Sequence, residues 1–259
     1  MRRALALAAF LALALVGCGG DDNGDTGDSG SSQASKPTLT VSAASSMTEA
    51  LTACSPDFED ATVRLQFAGS DELAAQIEQG VKPDVYAAAN TELPDQLYSE
   101  GKLSKPVKFA TNTFVLAVPK DSKIASVDDL TAEGVKIAIG SETVPIGSYT
   151  RDTLAKLPPA QSKAILANVR SNEPDVKGIV GKLTQGAADA GFVYVTDVNA
   201  TNGRLKAIEL PAEVEPQVTY EAGVVKGAKH PDEGQDYVDG LSSGACADAL
   251  KKAGFGPAR

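Results

Sequence analysis

LTVSAASSMTEAL at 39–51 and VRLQFAGSDELAAQI at 63–77 share one local plan: a short apolar strand, a run of small residues, and a serine where a helix opens. A helix start leaves its first N–H groups without intrahelical partners, and those groups carry the positive end of the helix dipole. A serine hydroxyl beside them completes a cradle for an anion. If both strands lie in one parallel sheet, both helix starts emerge at the same edge, where open α/β sheets bind ligands. Each serine alone also fits a helix cap. Ser46, Met47, Thr48 and Glu49 match the capping-box pattern, and Ser70 precedes Asp71 and Glu72, acids favoured at a helix start.

Outward from these two junctions, the chain after residue 38 alternates short β-type runs with amphipathic helical stretches. Strands are expected near 39–42, 63–67, 84–88, 108–119, 135–139, 190–194 and 217–225, with helices between most of them. This alternation predicts an α/β fold with helices on both faces of mainly parallel, mixed sheets. KFATNTFVLAVP at 108–119 is long for a strand and polar at its centre, as expected of a strand that passes from one lobe to another. VTYEAGVV at 218–225 supplies the return. The organisation expected is lobe 1 from 38–111 plus 220–259, lobe 2 from 112–219, and a hinge between them. Lobe 2 carries two further helix starts. One is Thr143-Val144-Pro145-Ile146-Gly147, with proline at a first helical position; the other is Asn172-Glu173-Pro174-Asp175-Val176. Tyr194 ends the apolar run Gly191-Phe192-Val193-Tyr194, where its phenol is either core or a neutral donor at a cleft edge.

The N-terminal segment carries two arginines and an apolar run from Ala4 to Val16, too short to span a bilayer, and reads as an export signal over 1–17. Leu15-Val16-Gly17-Cys18 resembles a bacterial lipobox, which makes Cys18 the lipidated first residue of the mature chain. Residues 18–37 are rich in Gly, Ser and Asp and read as a disordered tether, so the domain is expected to be held at the outer face of the membrane by its lipid alone. Removing the two leader arginines moves the formal charge from −10 to −12. A chain so acidic has no overall field for nucleic acid or anionic lipid, and any anion site in it has to be built from local dipoles. In an oxidising compartment Cys54 and Cys246 are expected to form a disulfide, with a pair of buried thiols as the alternative.

An enzyme finds little support. The sole histidine, His230, lies in the turn-like stretch GAKHPDEG, far in sequence from either serine. The chain has no GxSxG elbow, no phosphate-loop GxxxxGK[ST] and no zinc-ligand spacing.

AASSMTEAL, FAGSDELAAQIEQGVKPDVYAAAN, NTFVLAVPK, VPIGSYTRDTL, the segment through Asp175 and Val176, GFVYVTDV and KKAGFGP follow one another over nearly all of 38–257. In order and spacing they resemble the periplasmic molybdate-binding proteins of ABC transporters. The resemblance implies a two-lobed type II periplasmic binding protein fold with the ligand in the interlobe cleft. It also implies a tetrahedral oxyanion held by the hydroxyl and amide of Ser46 and of Ser70, the amides of Ile146 and Val176, and the Tyr194 hydroxyl. The ligand expected is molybdate or tungstate, held through its oxygens with no side chain on the metal and no cofactor. The partners expected are the permease subunits of an ABC importer, served by a monomer. Ile146 departs from the small residue frequent at its position, and Ser45 leaves the choice of first serine open. Sulfate is the nearest competing ligand. Asp71 and Asp175, beside the expected site, read as solvated first-turn acids.

Overall fold

The computed structural model describes residues 36–258; the export signal and Cys18 lie outside the described residues, as does nearly all of the tether. The first sheet is founded on β1 (Thr38–Ala44), which lies between β2 (Thr62–Ala68) and β3 (Val85–Ala88) and runs parallel to both. Strand β4 (Val107–Asn112) completes the chain's first pass through this sheet. The second sheet holds β5 (Phe114–Pro119), β6 (Ile137–Gly140), β7 (Val169–Glu173), β8 (Ala190–Tyr194) and β9 (Leu205–Ile208), in the order β7-β6-β8-β5-β9. The chain then returns through β10 (Val218–Val224), which inserts antiparallel between β3 and β4, and ends in the short β11 (Gly256–Pro257) beside β4.

The stretch 108–119, expected as one strand, is two strands in different sheets. The break falls at Thr113, whose N–H is taken by Asn112 Oδ1 at 2.9 Å. The polar centre of the segment thus ends one ladder before the next begins. Both sheets are mixed, but the parallel share is smaller than the strand–helix alternation suggests. Parallel pairing is confined to β1 with β2 and β3, and to β6 with β7 and β8; every pairing of β4, β5, β9, β10 and β11 is antiparallel. β7 and β9 were not expected from the sequence. VRSNE is polar and alternates half-buried with exposed residues, as an edge strand does, and LKAI is a four-residue edge strand.

The helices are α1 (Thr48–Cys54), α2 (Ser70–Glu78), α3 (Glu92–Ser99), α4 (Pro145–Ala155), α5 (Pro159–Ala167), α6 (Val176–Thr184), α7 (Val195–Asn199), α8 (Pro231–Gly240) and α9 (Gly244–Ala253). They cover both faces of the first sheet, as the all-buried strand β3 requires. Alternation along β3 sends Val85 and Ala87 into the main core and Tyr86 and Ala88 into a second cluster under α2 and α3, with Leu73, Ile77 and Leu97. Among the described residues no helix is long and apolar enough to cross a membrane.

A disulfide joins Cys54, at the end of α1, to Cys246 in α9. It ties two helices that pack together and are separated by 192 residues of chain. Closing so long a loop restricts the unfolded ensemble by roughly 5 kcal/mol in the chain-entropy model. The Cys54→Ser/Cys246→Ser variant is therefore expected to melt roughly 10 °C or more below the wild type in calorimetry. Equal melting temperatures would show that the tie does not limit the unfolded chain.

Candidate functional site

Residues Ala44 and Ala68 pair in the parallel register of β1 and β2, so both strands end at one edge and release the two serines there. In the second sheet Gly140 pairs with Glu173 between β6 and β7, and the chain leaves that edge into α4 and α6. The four departures face one small cavity, lined by Ser45, Ser46, Ser70, Ile146, Val176 and Tyr194 among others. Its volume is only about 10 Å³. No lysine or arginine lines it. The two halves meet closely at its rim: a Cβ on Gly69 would come within 2.5 Å of the Pro174 carbonyl oxygen, so only glycine fits there.

Neither serine acts as a cap. Ser46 lies inside a short 3-10 turn over Ser45–Met47, and its hydroxyl meets the Tyr220 hydroxyl at 2.9 Å. The capping box does not form, because Glu49 pairs with Lys177 of α6 at 2.8 Å. Ser70 is the first residue of α2 after Gly69, and its Oγ accepts the Ala89 N–H at 3.2 Å. Its carbonyl accepts the Tyr86 hydroxyl at 2.8 Å. Ile146 follows Pro145 in the first turn of α4, and Val176 opens α6; first-turn N–H groups have no intrahelical acceptor.

Tyr194 is 1% exposed, and its hydroxyl has no hydrogen-bond partner among the described residues. Burial raises its pKa well above the ordinary phenol value, and that of Tyr220 likewise, so both remain neutral hydroxyls at physiological pH. A buried hydroxyl without a partner is uncommon, because leaving it unmet costs about 1–3 kcal/mol. Here it lines the same cavity as the two serines.

Asp71 lies in the first turn of α2 as expected, but neither it nor Asp175, the N-cap of α6, is simply solvated. Asp175 lines the cavity and caps α6, accepting the Gly178 N–H at 3.0 Å. Asp71 accepts the Thr143 hydroxyl from across the cleft. The sole histidine is remote from this edge. His230 precedes α8, its N–H bound to Asp84 at the opposite end of β3.

Behind the cavity lie groups that the sequence did not single out. Lys177 reaches Glu49 of α1 at 2.8 Å and Asp197 of α7 at 3.2 Å, bridging elements on either side of the cleft. Asp197 also accepts the Tyr194 N–H at 3.3 Å. Asn112 donates to Thr196 Oγ1 at 3.0 Å and to the Tyr220 hydroxyl at 3.3 Å. The only sequence signal for Tyr220 is its alternation with Val218 and Ala222, which marks an inward face but names no partner.

Two mixed sheets joined by crossing strands, with four strand-end departures around one donor-lined cavity, define a two-lobed periplasmic-type receptor for a small solute. The chain belongs to the bacterial extracellular solute-binding protein family, whose model matches residues 39–256, and within it to the molybdate-binding proteins of ABC transporters. It is 31% identical to the molybdate-binding protein ModA of Mycobacterium tuberculosis, over 96% of this chain and 95% of that one. The periplasmic molybdate-binding protein of Azotobacter vinelandii shares the fold, with a TM-score of 0.76 at 18% identity over 85% of this chain and all of that one. The sulfate-binding protein SubI of Mycobacterium tuberculosis does so too, with a TM-score of 0.75 at 15% identity over 85% of this chain and 87% of that one. The fold is thus common to receptors named for two different oxyanions.

Asp197 behaves unlike a typical salt-bridged carboxylate. Burial pushes its pKa up to about 6, outweighing the lowering by Lys177. A carboxyl raised on folding favours the native state below its unfolded pKa of about 3.9, and that contribution is lost as pH rises through about 6. The stability of the wild type relative to Asp197→Asn is therefore expected to fall by about 2 kcal/mol from pH 4 to pH 7 in urea unfolding. A difference independent of pH would refute the buried titration.

Proposed function

We propose that this protein is the lipid-anchored receptor of an ABC importer that captures molybdate, and tungstate with it, and hands the ion to the membrane permease. What carries the ligand assignment is the convergence of two serine hydroxyls, first-turn amides and an unpartnered Tyr194 hydroxyl on one cavity without a lysine or arginine. Every one of these groups can donate. A fully ionised oxyanion is all acceptor, so such a site suits it, whereas protonated phosphate brings a hydrogen that needs an acceptor, and the one carboxylate lining the cavity, Asp175, already accepts the Gly178 N–H through Oδ1. Hydrogen bonds to a charged group contribute about 1.5–3 kcal/mol each, and roughly seven of them can offset a large dehydration cost.

The donors assigned are the hydroxyl and amide of Ser46 and Ser70, the amides of Ile146 and Val176, and the Tyr194 hydroxyl. Support for molybdate over sulfate comes from the relative named for molybdate, which matches at 31% identity over nearly the full chain, against 15% for the sulfate-binding structure. Lobe 1, 38–111 plus 220–259, and lobe 2, 112–219, would move apart about Thr113 and the return into β10 to admit the ion. Anchoring at Cys18 rests on its sequence context, after the apolar run that ends at Val16. The receptor acts as a monomer and performs no chemistry on its cargo.

Calorimetry with molybdate, tungstate, sulfate and phosphate tests this directly. Molybdate and tungstate are expected to bind, with sulfate and phosphate far weaker. Sulfate binding as tightly as molybdate would overturn the selectivity, and no binding by any of them would overturn the function. Tyr194→Phe is expected to weaken molybdate binding by roughly tenfold or more while raising the stability of the ligand-free protein, by up to about 1–3 kcal/mol, since its buried hydroxyl has no partner among the described residues. Ser70→Ala is expected to weaken binding to a similar extent, but with a cost in stability of about 1–3 kcal/mol, because it strands the Ala89 N–H. Unchanged molybdate affinity in both variants would remove these residues from the site.

A further inference from the structure

Ser46 can donate to an anion only if its own hydrogen is free, and that depends on the groups behind it. They allow one self-consistent arrangement. Asn112 Oδ1 accepts the Thr113 N–H at 2.9 Å, which fixes the amide orientation and turns Nδ2 the other way. Its two hydrogens then meet Thr196 Oγ1 at 3.0 Å and the Tyr220 hydroxyl oxygen at 3.3 Å. Tyr220 is fully buried, and its hydroxyl has one further neighbour, Ser46 Oγ at 2.9 Å. The phenol hydrogen must go to Ser46, because the reverse direction would leave a buried O–H with no acceptor. Receiving a hydrogen from behind, Ser46 has its own free for the cavity it lines. Ser70 is arranged in the same sense, since its Oγ accepts the Ala89 N–H.

We propose that Asn112 and Tyr220 are positioning residues: the ordered chain from Asn112 Nδ2 to Tyr220 OH to Ser46 Oγ aims the Ser46 hydrogen at the ligand and selects oxyanions that carry no proton. This rests on the oxyanion-binding function proposed above. Neither residue lines the cavity, so both act through Ser46. Without the phenol, the Ser46 hydroxyl is free to turn and accept a hydrogen from a protonated ligand. The chain also begins beside Thr113, where the polypeptide crosses between the sheets.

A double-mutant cycle tests the chain, with sodium molybdate and inorganic phosphate titrated at pH 7 into wild type, Tyr220→Phe, Ser46→Ala and the double variant. Tyr220→Phe is expected to weaken molybdate binding by about tenfold and to lower the molybdate-to-phosphate affinity ratio. On the Ser46→Ala background it is expected to change molybdate affinity by less than about twofold, because the hydrogen it controls is gone. Wild-type affinity in Tyr220→Phe, or an equal loss with and without Ser46, would overturn the proposal; the second result would mean general loosening of the core. If Tyr220→Phe does not show a cooperative melt, Asn112→Asp decides. It keeps the size but turns the donor into an acceptor that draws the phenol hydrogen away, and its loss of affinity should again depend on Ser46. A loss independent of Ser46 would count against the chain. Failure of the wild type to bind molybdate would instead refute the function on which the proposal rests.

Discussion

The parallel pairing of β1 with β2 is the constraint on which the cleft depends. With Ala44 opposite Ala68, the two strands stop together, and the chain turns at the same edge into Ser45 and Ser46 and into Gly69 and Ser70. A slip of one residue would flip every side chain of the slipped strand to the other face and put the two strand ends out of step. The second sheet repeats the solution with β6 and β7, which end level and lead into α4 and α6. Antiparallel crossing strands then bring the two edges face to face. The donors converge because two registers and one crossing, at Thr113, are fixed by backbone ladders.

Buried hydroxyls in the first sheet and at the cavity are satisfied unequally. The hydroxyls of Tyr86, Tyr220 and Ser55 find partners, whereas that of Tyr194 has none among the described residues. Charge is handled separately. Lys177 is spent on Glu49 and Asp197, so the cation nearest in sequence to Val176 holds helices α1, α6 and α7 together and leaves the cavity without a cationic side chain. That division agrees with a chain whose formal charge is −10, in which attraction for an anion has to come from dipoles at short range.

Much of the fold was legible because an alternating run such as LTVSAA and a short continuous apolar run such as VYAA both read as strands. The failures have physical causes. VRSNE looks like a loop because an edge strand needs only one apolar neighbour, and KFATNTFVLAVP looks continuous because a polar centre does not say that Asn112 will take the Thr113 amide. Ser46 followed by Glu49 carries the capping-box pattern, yet Lys177, 128 residues onward, takes the glutamate. Local pattern was overridden by a partner from the other side of the cleft.

The sequence by itself determined the strand-to-serine junctions, the proline-marked helix starts before Ile146 and Val176, the acidic balance and the α/β class, because each depends on neighbours within a few residues. Only the tertiary structure decided what each hydroxyl does. The Ser46 hydroxyl meets Tyr220 across 174 residues, that of Ser70 meets the Ala89 amide, and that of Tyr194 has no partner among the described residues. A hydroxyl can cap, accept or donate, and which of these it does is set by the groups that folding brings within hydrogen-bond distance.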